Sequence, residues 1–303
     1  MKKIFLLAAT ALTAVACNWD SDSNNSQPAP KLVQKVTLAD GSSATMSYDT
    51  GKTYPSEIVF SDGTTYSLDY SSDYPAYNSF ITISSDGIDM TLTLDNGYLT
   101  TLTAGEQTIS EFTYNSAYGN NLSKLTRSLT PAVSKFEWFN GFYVYLISRQ
   151  TNTFYEEGSD PATATGFETQ KVVSYGWDYS ASNLYSYTNL LPIIVPEYLE
   201  CAGLNNVVLA AIGGLRTPYL PSSLKIETTT PNPDEGGDEN GEDGENGDGD
   251  EENNDNNDTK YTTTETLRSY SYDTDAEGYI RAVYLISGDN IEKLLGIDYV
   301  LNK

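Results

Sequence analysis

Four dipeptides, Asp40-Gly41, Asp62-Gly63, Asp86-Gly87 and Asn96-Gly97, punctuate the first third of the chain. Asp-Gly and Asn-Gly supply the positive φ angles that tight hairpins require, so each marks a place where the chain reverses. The first three recur at intervals of 22 and 24 residues, room for two strands and two turns each. Apolar side chains alternate with polar ones between the turns. Met46 is followed by Tyr48, Tyr66, Leu68 and Tyr70 flank Ser67 and Asp69, and Met90, Leu92 and Leu94 flank Thr91 and Thr93. A period of two gives each strand one apolar and one wet face. The pattern predicts an all-β, antiparallel up-and-down meander beginning at Lys31.

Similar patterning places strands at Tyr98–Thr103, Thr108–Asn115, Leu122–Arg127, Lys135–Arg149 (as two strands turning at Asn140-Gly141), Val172–Tyr179, Ser223–Thr229, Tyr261–Tyr272 and Tyr279–Ser287. About a dozen strands exceed what a flat open sheet carries, so the meander is expected to curl into a barrel or half-barrel. One stretch breaks the pattern. Pro196 to Gly203 has Pro at a helix start and Gly at a helix stop, and Asn206 to Gly214 repeats the scheme with an Asn cap. Val207 to Ile212 is apolar all round, as a strand or a helix buried on every side would be. As a helix, it would plug the concave face of the sheet.

The chain holds 42 acidic and 17 basic residues, a net charge of −25. Nucleic acid is thereby excluded as a partner, because phosphate is bound mainly through Lys and Arg. His is absent, which removes His-dependent triads, imidazole bases and His-ligated zinc. The charge is uneven: Asp234 to Asp258 carries 13 acidic residues with no basic or apolar side chain. Such a segment cannot bury surface and reads as a disordered insertion over residues 231–260. Asp248, Asp250, Glu252 and Asp255 offer oxygen ligands but do not match the calcium loop with Gly at its sixth position and Glu at its twelfth. No metal or other cofactor is expected.

The N-terminus reads as a secretory signal over residues 1–16: Lys2 and Lys3, an apolar run from Ile4 to Val15, then small residues before Cys17. The run is shorter than the roughly 18 residues of a helical membrane span. Ala14-Val15-Ala16-Cys17 resembles the lipobox of bacterial lipoproteins, which implies lipidation of Cys17 and a membrane partner reached through that lipid. Residues 17–30, rich in Ser, Asn and Pro, read as a flexible tether to a single domain over 31–303. Asp20 and Asp22 after the Cys are similar to export signals of surface-exposed lipoproteins in gut anaerobes, which places the protein on the outer membrane facing the cell surface. The other thiol, Cys201, reads as a small buried hydrophobe.

The run Tyr270-Ser271-Tyr272-Asp273 through Gly278-Tyr279-Ile280 resembles the Tyr-Asp and Gly-Tyr signatures of YD-like β-repeat proteins, and Asn121 to Thr126 is similar to the strand that follows such a turn. Leu220-Pro221-Ser222-Ser223-Leu224, between an apolar helix and a Tyr-rich hairpin, resembles an arrangement in a family of uncharacterised gut-anaerobe lipoproteins, a domain of unknown function with a porin-like β fold. The resemblance implies a fold and a surface lipoprotein, and no activity.

Nothing in the residues assembles a catalytic centre. Glu156-Glu157, Glu197 with Glu200, and Glu277 supply carboxylates without a spacing that sets two across a sugar ring. Ser222 and Lys225 match S-x-x-K without partner motifs. The chain is therefore read as non-enzymatic, a structural or interaction β module. Aromatic residues give the functional alternative. Tyr175, Trp177 and Tyr179 alternate along one strand and would share a face, either as a platform that stacks on a glycan or other ligand, or as filling for the barrel. A carrier of a small apolar ligand is a further alternative; it requires an empty cavity between sheet and helix. The partner beyond the membrane would be a glycan or a protein.

Overall fold

The computed structural model describes residues 31–72, 74, 79–118, 120–128, 130–141, 144–182, 190–212, 219–232 and 261–301. Cys17, the signal, the tether and nearly all of the acidic insertion lie outside them. The first strands are β1 (Lys31–Leu38), β2 (Ser43–Ser47), β3 (Glu57–Phe60), β4 (Thr65–Tyr70), β5 (Ser79–Ser85), β6 (Ile88–Asp95), β7 (Tyr98–Ala104) and β8 (Gln107–Asn115). There follow β9 (Asn121–Arg127), β10 (Ala132–Gly141), β11 (Val144–Phe154), β12 (Thr169–Ser182), β13 (Tyr219–Pro231), β14 (Tyr261–Thr274), β15 (Ile280–Ser287) and β16 (Asn290–Leu301). Each strand pairs antiparallel with its sequence neighbours, and β1 pairs with β16, so the meander closes into a barrel. Sixteen strands replace the expected dozen, and closure is complete.

The turn residues act as their chemistry dictates, in two ways. At Asp86-Gly87 and Asn96-Gly97 both residues have positive φ, 50° and 78°, then 53° and 78°, the two-residue hairpin turn whose twist matches its strands. At Asp40-Gly41 and Asp62-Gly63 only the glycine does, at 84° and 94°. There Asp40 and Asp62 accept the backbone N–H two residues on, each at 2.8 Å, so the carboxylate closes the turn.

Even numbers of strands put both chain ends on one rim. Lys31 lies opposite Leu301, and the β14–β15 turn folds over them. Lys31 Nζ donates to Asp275 Oδ2 at 2.6 Å and to Glu277 Oε2 at 2.7 Å, while its backbone N–H donates to the Tyr279 hydroxyl at 3.2 Å. This clasp spans β16 and holds the seam shut. The hydrogen bonds to Asp275, then Glu277, raise the Lys31 ammonium above its ordinary value. Burial works against ionising Asp275, but the Lys31 hydrogen bond and the N–H groups of Tyr279 and Glu277 prevail and hold it below the usual carboxylate range.

The lumen is filled by the chain between β12 and β13. It comprises α1 (Leu191–Ile194), a 3-10 segment Pro196–Ala202 and α2 (Asn206–Ile212). Val207 through Ile212 are buried to the last residue, so this apolar run is a helix inside the barrel. The 3-10 segment ends at Gly203, whose φ of 76° is left-handed; a Cβ there would stand 3.1 Å from Ile109 and 3.2 Å from the Arg127 guanidinium. The cap of α2 is Asn205, whose Oδ1 accepts the Val207 N–H at 2.8 Å. Asn206, expected in that role, instead donates to the Pro196 carbonyl at 3.3 Å. Around the plug the inward faces are apolar, with Ile58, Ile81, Ile83, Leu92, Leu102, Leu125 and Val173 fully buried.

Replacing Gly203 by Ala is expected to lower unfolding free energy by about 1–2 kcal/mol, since the residue must hold a left-handed conformation in a crowded place; denaturant midpoints check this. Asp275 stabilises the seam at pH above its unfolded value near ~4 and ceases to as pH falls through its lower folded value. The stability gap between wild type and Asp275→Asn should therefore hold through neutral pH and close in strong acid. A gap that persists at about pH 2 would sink this account of the seam.

Candidate functional site

The plug is polar where its backbone turns. A 3-10 segment leaves carbonyls without helical partners, and inside a barrel no bulk water reaches them. Two fully buried side chains of β11, Gln150 and Asn152, meet this need. Gln150 Nε2 donates to the carbonyls of Glu197 at 2.6 Å and Tyr198 at 3.1 Å, and to Asn152 Oδ1 at 2.6 Å. Asn152 Nδ2 donates to the Glu197 carbonyl at 2.7 Å. Across the lumen the Ser110 hydroxyl donates to the Ala202 carbonyl at 2.7 Å, and the Tyr74 hydroxyl to the carbonyl of Ile212. The 3-10 segment and the C-terminal end of α2 are thus tied to the surrounding barrel.

Register places this cluster near the rim opposite the chain ends, because Gln150 and Asn152 lie toward the Phe154 end of β11, which pairs with Ala132 and Thr169. At the plug tip lies a shallow depression of about 290 Å³ lined by Pro196, Glu197, Glu200, Leu204, Asn205 and Asn206. The wall supplies a cation to each carboxylate. Arg268 NH1 lies 3.0 Å from Glu197 Oε1 and 3.1 Å from its Oε2, and Lys171 Nζ pairs with Glu200 Oε1. The structure therefore brings together Glu197 and Glu200, but as two ion pairs.

Tyr175 is 8% exposed, and its hydroxyl donates to Gln150 Oε1 at 2.8 Å. Burial raises that hydroxyl well above its ordinary value, so it stays a proton donor. Trp177 is half-buried; its ring stacks on Tyr175 at 5.8 Å and 12°, and its indole N–H donates to the Ile147 carbonyl at 2.7 Å. These two rings spend their faces on each other and their polar atoms on the wall. The side chain of Tyr179 lies outside the described residues. Trp138 repeats the device, donating to the Leu122 carbonyl at 2.7 Å.

The remaining motifs are structural in their surroundings. Lys225 bridges Glu227 at 3.2 Å and Glu265 at 2.8 Å, and the hydrogen bonds to Glu265, then Glu227, raise its ammonium. A base paired with Ser222 would need the opposite shift. Glu277 belongs to the seam clasp, and Glu156 and Glu157 lie exposed in the β11–β12 loop. Cys201 is buried, and burial pushes its thiol up to about 11, away from reactivity. Among the described residues no three Asp, Glu or Cys gather as a metal would require. A carrier needs empty lumen, yet Val208, Leu209, Ala210 and Ile212 of α2 are packed at 0–1% exposure.

No protein-family model and no curated protein matches this chain. Among solved structures it is similar to a porin-like protein from Bacteroides vulgatus ATCC 8482, at 13% identity, over 89% of this chain and 99% of that one, with a TM-score of 0.50. A porin-like protein from Bacteroides uniformis ATCC 8492 is similar at 13% identity over 88% and 98%, with a TM-score of 0.42. The first likeness is one of fold.

Substituting Gln150 by Leu strands the Tyr175 hydroxyl and the Tyr198 carbonyl, and is expected to cost about 2–4 kcal/mol of stability. Tyr175→Phe alone should cost about 1 kcal/mol, and the double variant clearly less than the sum, because the groups share one network. Urea unfolding of the four proteins measures both the cost and the coupling.

Proposed function

We propose that this chain is a water-soluble barrel held at the outer membrane by lipid on Cys17, serving there as a non-enzymatic interaction module. One observation carries the reading: the wall is apolar inside and mostly polar outside, although Val59, Phe80, Leu267 and Ile291 are exposed on it. A barrel that spans a membrane shows the reverse, an outward apolar band about 25 Å tall around a polar lumen. Here the outward positions of β4 are Thr65, Ser67 and Asp69, those of β6 include Asp89, Thr91 and Thr93, and those of β10 include Lys135 and Glu137, with Leu68, Leu92 and Phe136 turned inward. Lipid in contact with such a wall would strip water from the charges of Asp69, Lys135 and Glu137. The porin-like likeness supplies a membrane context, and the lipobox supplies the means of attachment without spanning.

Lys31 sits on the chain-end rim. On this reading the tether runs from that rim to the membrane, and the opposite rim, with the plug tip and the long strands β13 and β14, is displayed away from it. Surface exposure follows the reading of Asp20 and Asp22 beside Cys17.

Cys17→Ser should release the protein into the aqueous fraction, while the wild-type protein stays with membranes through an alkaline carbonate wash and partitions into detergent. If the Cys17→Ser protein remained membrane-integrated after that wash, the wall itself would be spanning and the reading would fail.

A further inference from the structure

The strands of the barrel differ in length, and the upper part of β14 is paired on one side only. On one side β14 pairs with β13 along its whole upper part, from Tyr261 opposite Pro231 to Ser269 opposite Ser223. On the other side its pairing with β15 starts only at Ser269 opposite Ile286, and β15 turns into β16 directly after Ser287. Among the described residues, Thr262 to Arg268 therefore presents a free ladder of roughly 20 Å at strand rise. Every residue from Tyr261 to Leu267 is exposed.

Natural sheets blunt such edges with Pro, bulges, inward charges or a covering element. From Thr262 to Leu267 there is no Pro, no Lys and no register shift against β13. The flank is apolar instead: Leu267 is 67% and Ile291 69% exposed. Ile291 lies directly opposite Ile286, and Ile286 opposite Ser269, so Leu267, Ile286 and Ile291 share the outer face beside the notch. A strand laid on the edge would set alternate side chains against that patch.

We propose that the edge of β14 from Thr262 to Leu267 is a docking site for an extended, positively charged peptide segment of another protein, which joins the sheet as an added strand. Main-chain hydrogen bonds to the free ladder supply the affinity and alternate side chains the specificity. Charge selects the occupant. Glu265 lies on the outer face of the edge, where Lys225 is shared between it and Glu227, so one negative charge is left over. Acidic residues also outnumber basic ones by 42 to 17 over the whole chain. A second copy pairing through the same edge would bring those like charges together, whereas a cationic strand is drawn in. The pairing does not depend on the lipid anchor, although that reading would turn this rim outward.

The test uses the full chain carrying Cys17→Ser and two synthetic peptides of about ten residues, one alternating Lys with Val and one alternating Glu with Val. Amide exchange in the free chain should show every second N–H between Thr262 and Leu267 unprotected. The Lys-Val peptide should slow those amides about tenfold or more, and the Glu-Val peptide should not. Glu265→Lys, an exposed change that leaves the fold intact, should weaken Lys-Val binding about tenfold, an effect that fades in high salt. Slowing by neither peptide, equal slowing by both, or an edge already protected in the free chain overturns the proposal. Protection that grows with protein concentration would identify a second copy as the occupant instead.

Discussion

Sixteen strands enclose more space than the side chains of their own wall can fill; barrels of this size hold either water or an inserted piece of chain. The architecture depends on how that volume is occupied. A polar lumen would have allowed water, and the apolar residues would then have had to face outward. This chain points Ile58, Ile83, Leu92 and Leu125 inward, so an apolar filler is obligatory. The helices between β12 and β13 are that filler, and the polar outer wall is the other side of the same choice.

An apolar plug creates a second problem, because short helical segments expose many backbone groups at their ends. None of α1, α2 or the 3-10 segment is long enough to be stable alone. They persist because Gln150, Asn152 and Ser110 of the wall and Tyr74 of the β4–β5 loop reach in and take up the loose carbonyls. Buried polar networks of this kind stabilise only when every member is satisfied. Here Gln150 uses both ends of its amide, accepting from Tyr175 while donating to the plug. Wall and plug are each incomplete without the other.

Much of this was legible in the sequence. The Asp-Gly and Asn-Gly pairs marked hairpins because only such residues settle at positive φ, and Gly203 marked the end of the 3-10 segment for the same reason. The final strand carries a weaker signal: Glu292 and Lys293 interrupt the alternation of β16, and Gly288-Asp289 inverts the Asp-Gly order of the other turns. As the partner of β1, this strand is what turns a curled meander into a closed barrel. The inward polar residues left no signal, because Gln150 and Asn152 alternate like any wet face; what inverts their side of the strand is the plug, a contact distant in sequence. Tyr175 and Trp177 alternate as a platform or as a core would, and only the packing distinguishes the two.

Lys31 and Leu301 stand opposite each other on the seam, joined by the same kind of ladder as every other neighbouring pair. The barrel is in this sense a ring, and its beginning is a matter of where the peptide was cut. A short linker between those two residues, with a new break at Gly41 or Gly63 on the far rim, would yield a circular permutant with an unchanged hydrogen-bond pattern. Only the place where a tether can be attached would move, from one rim to the other.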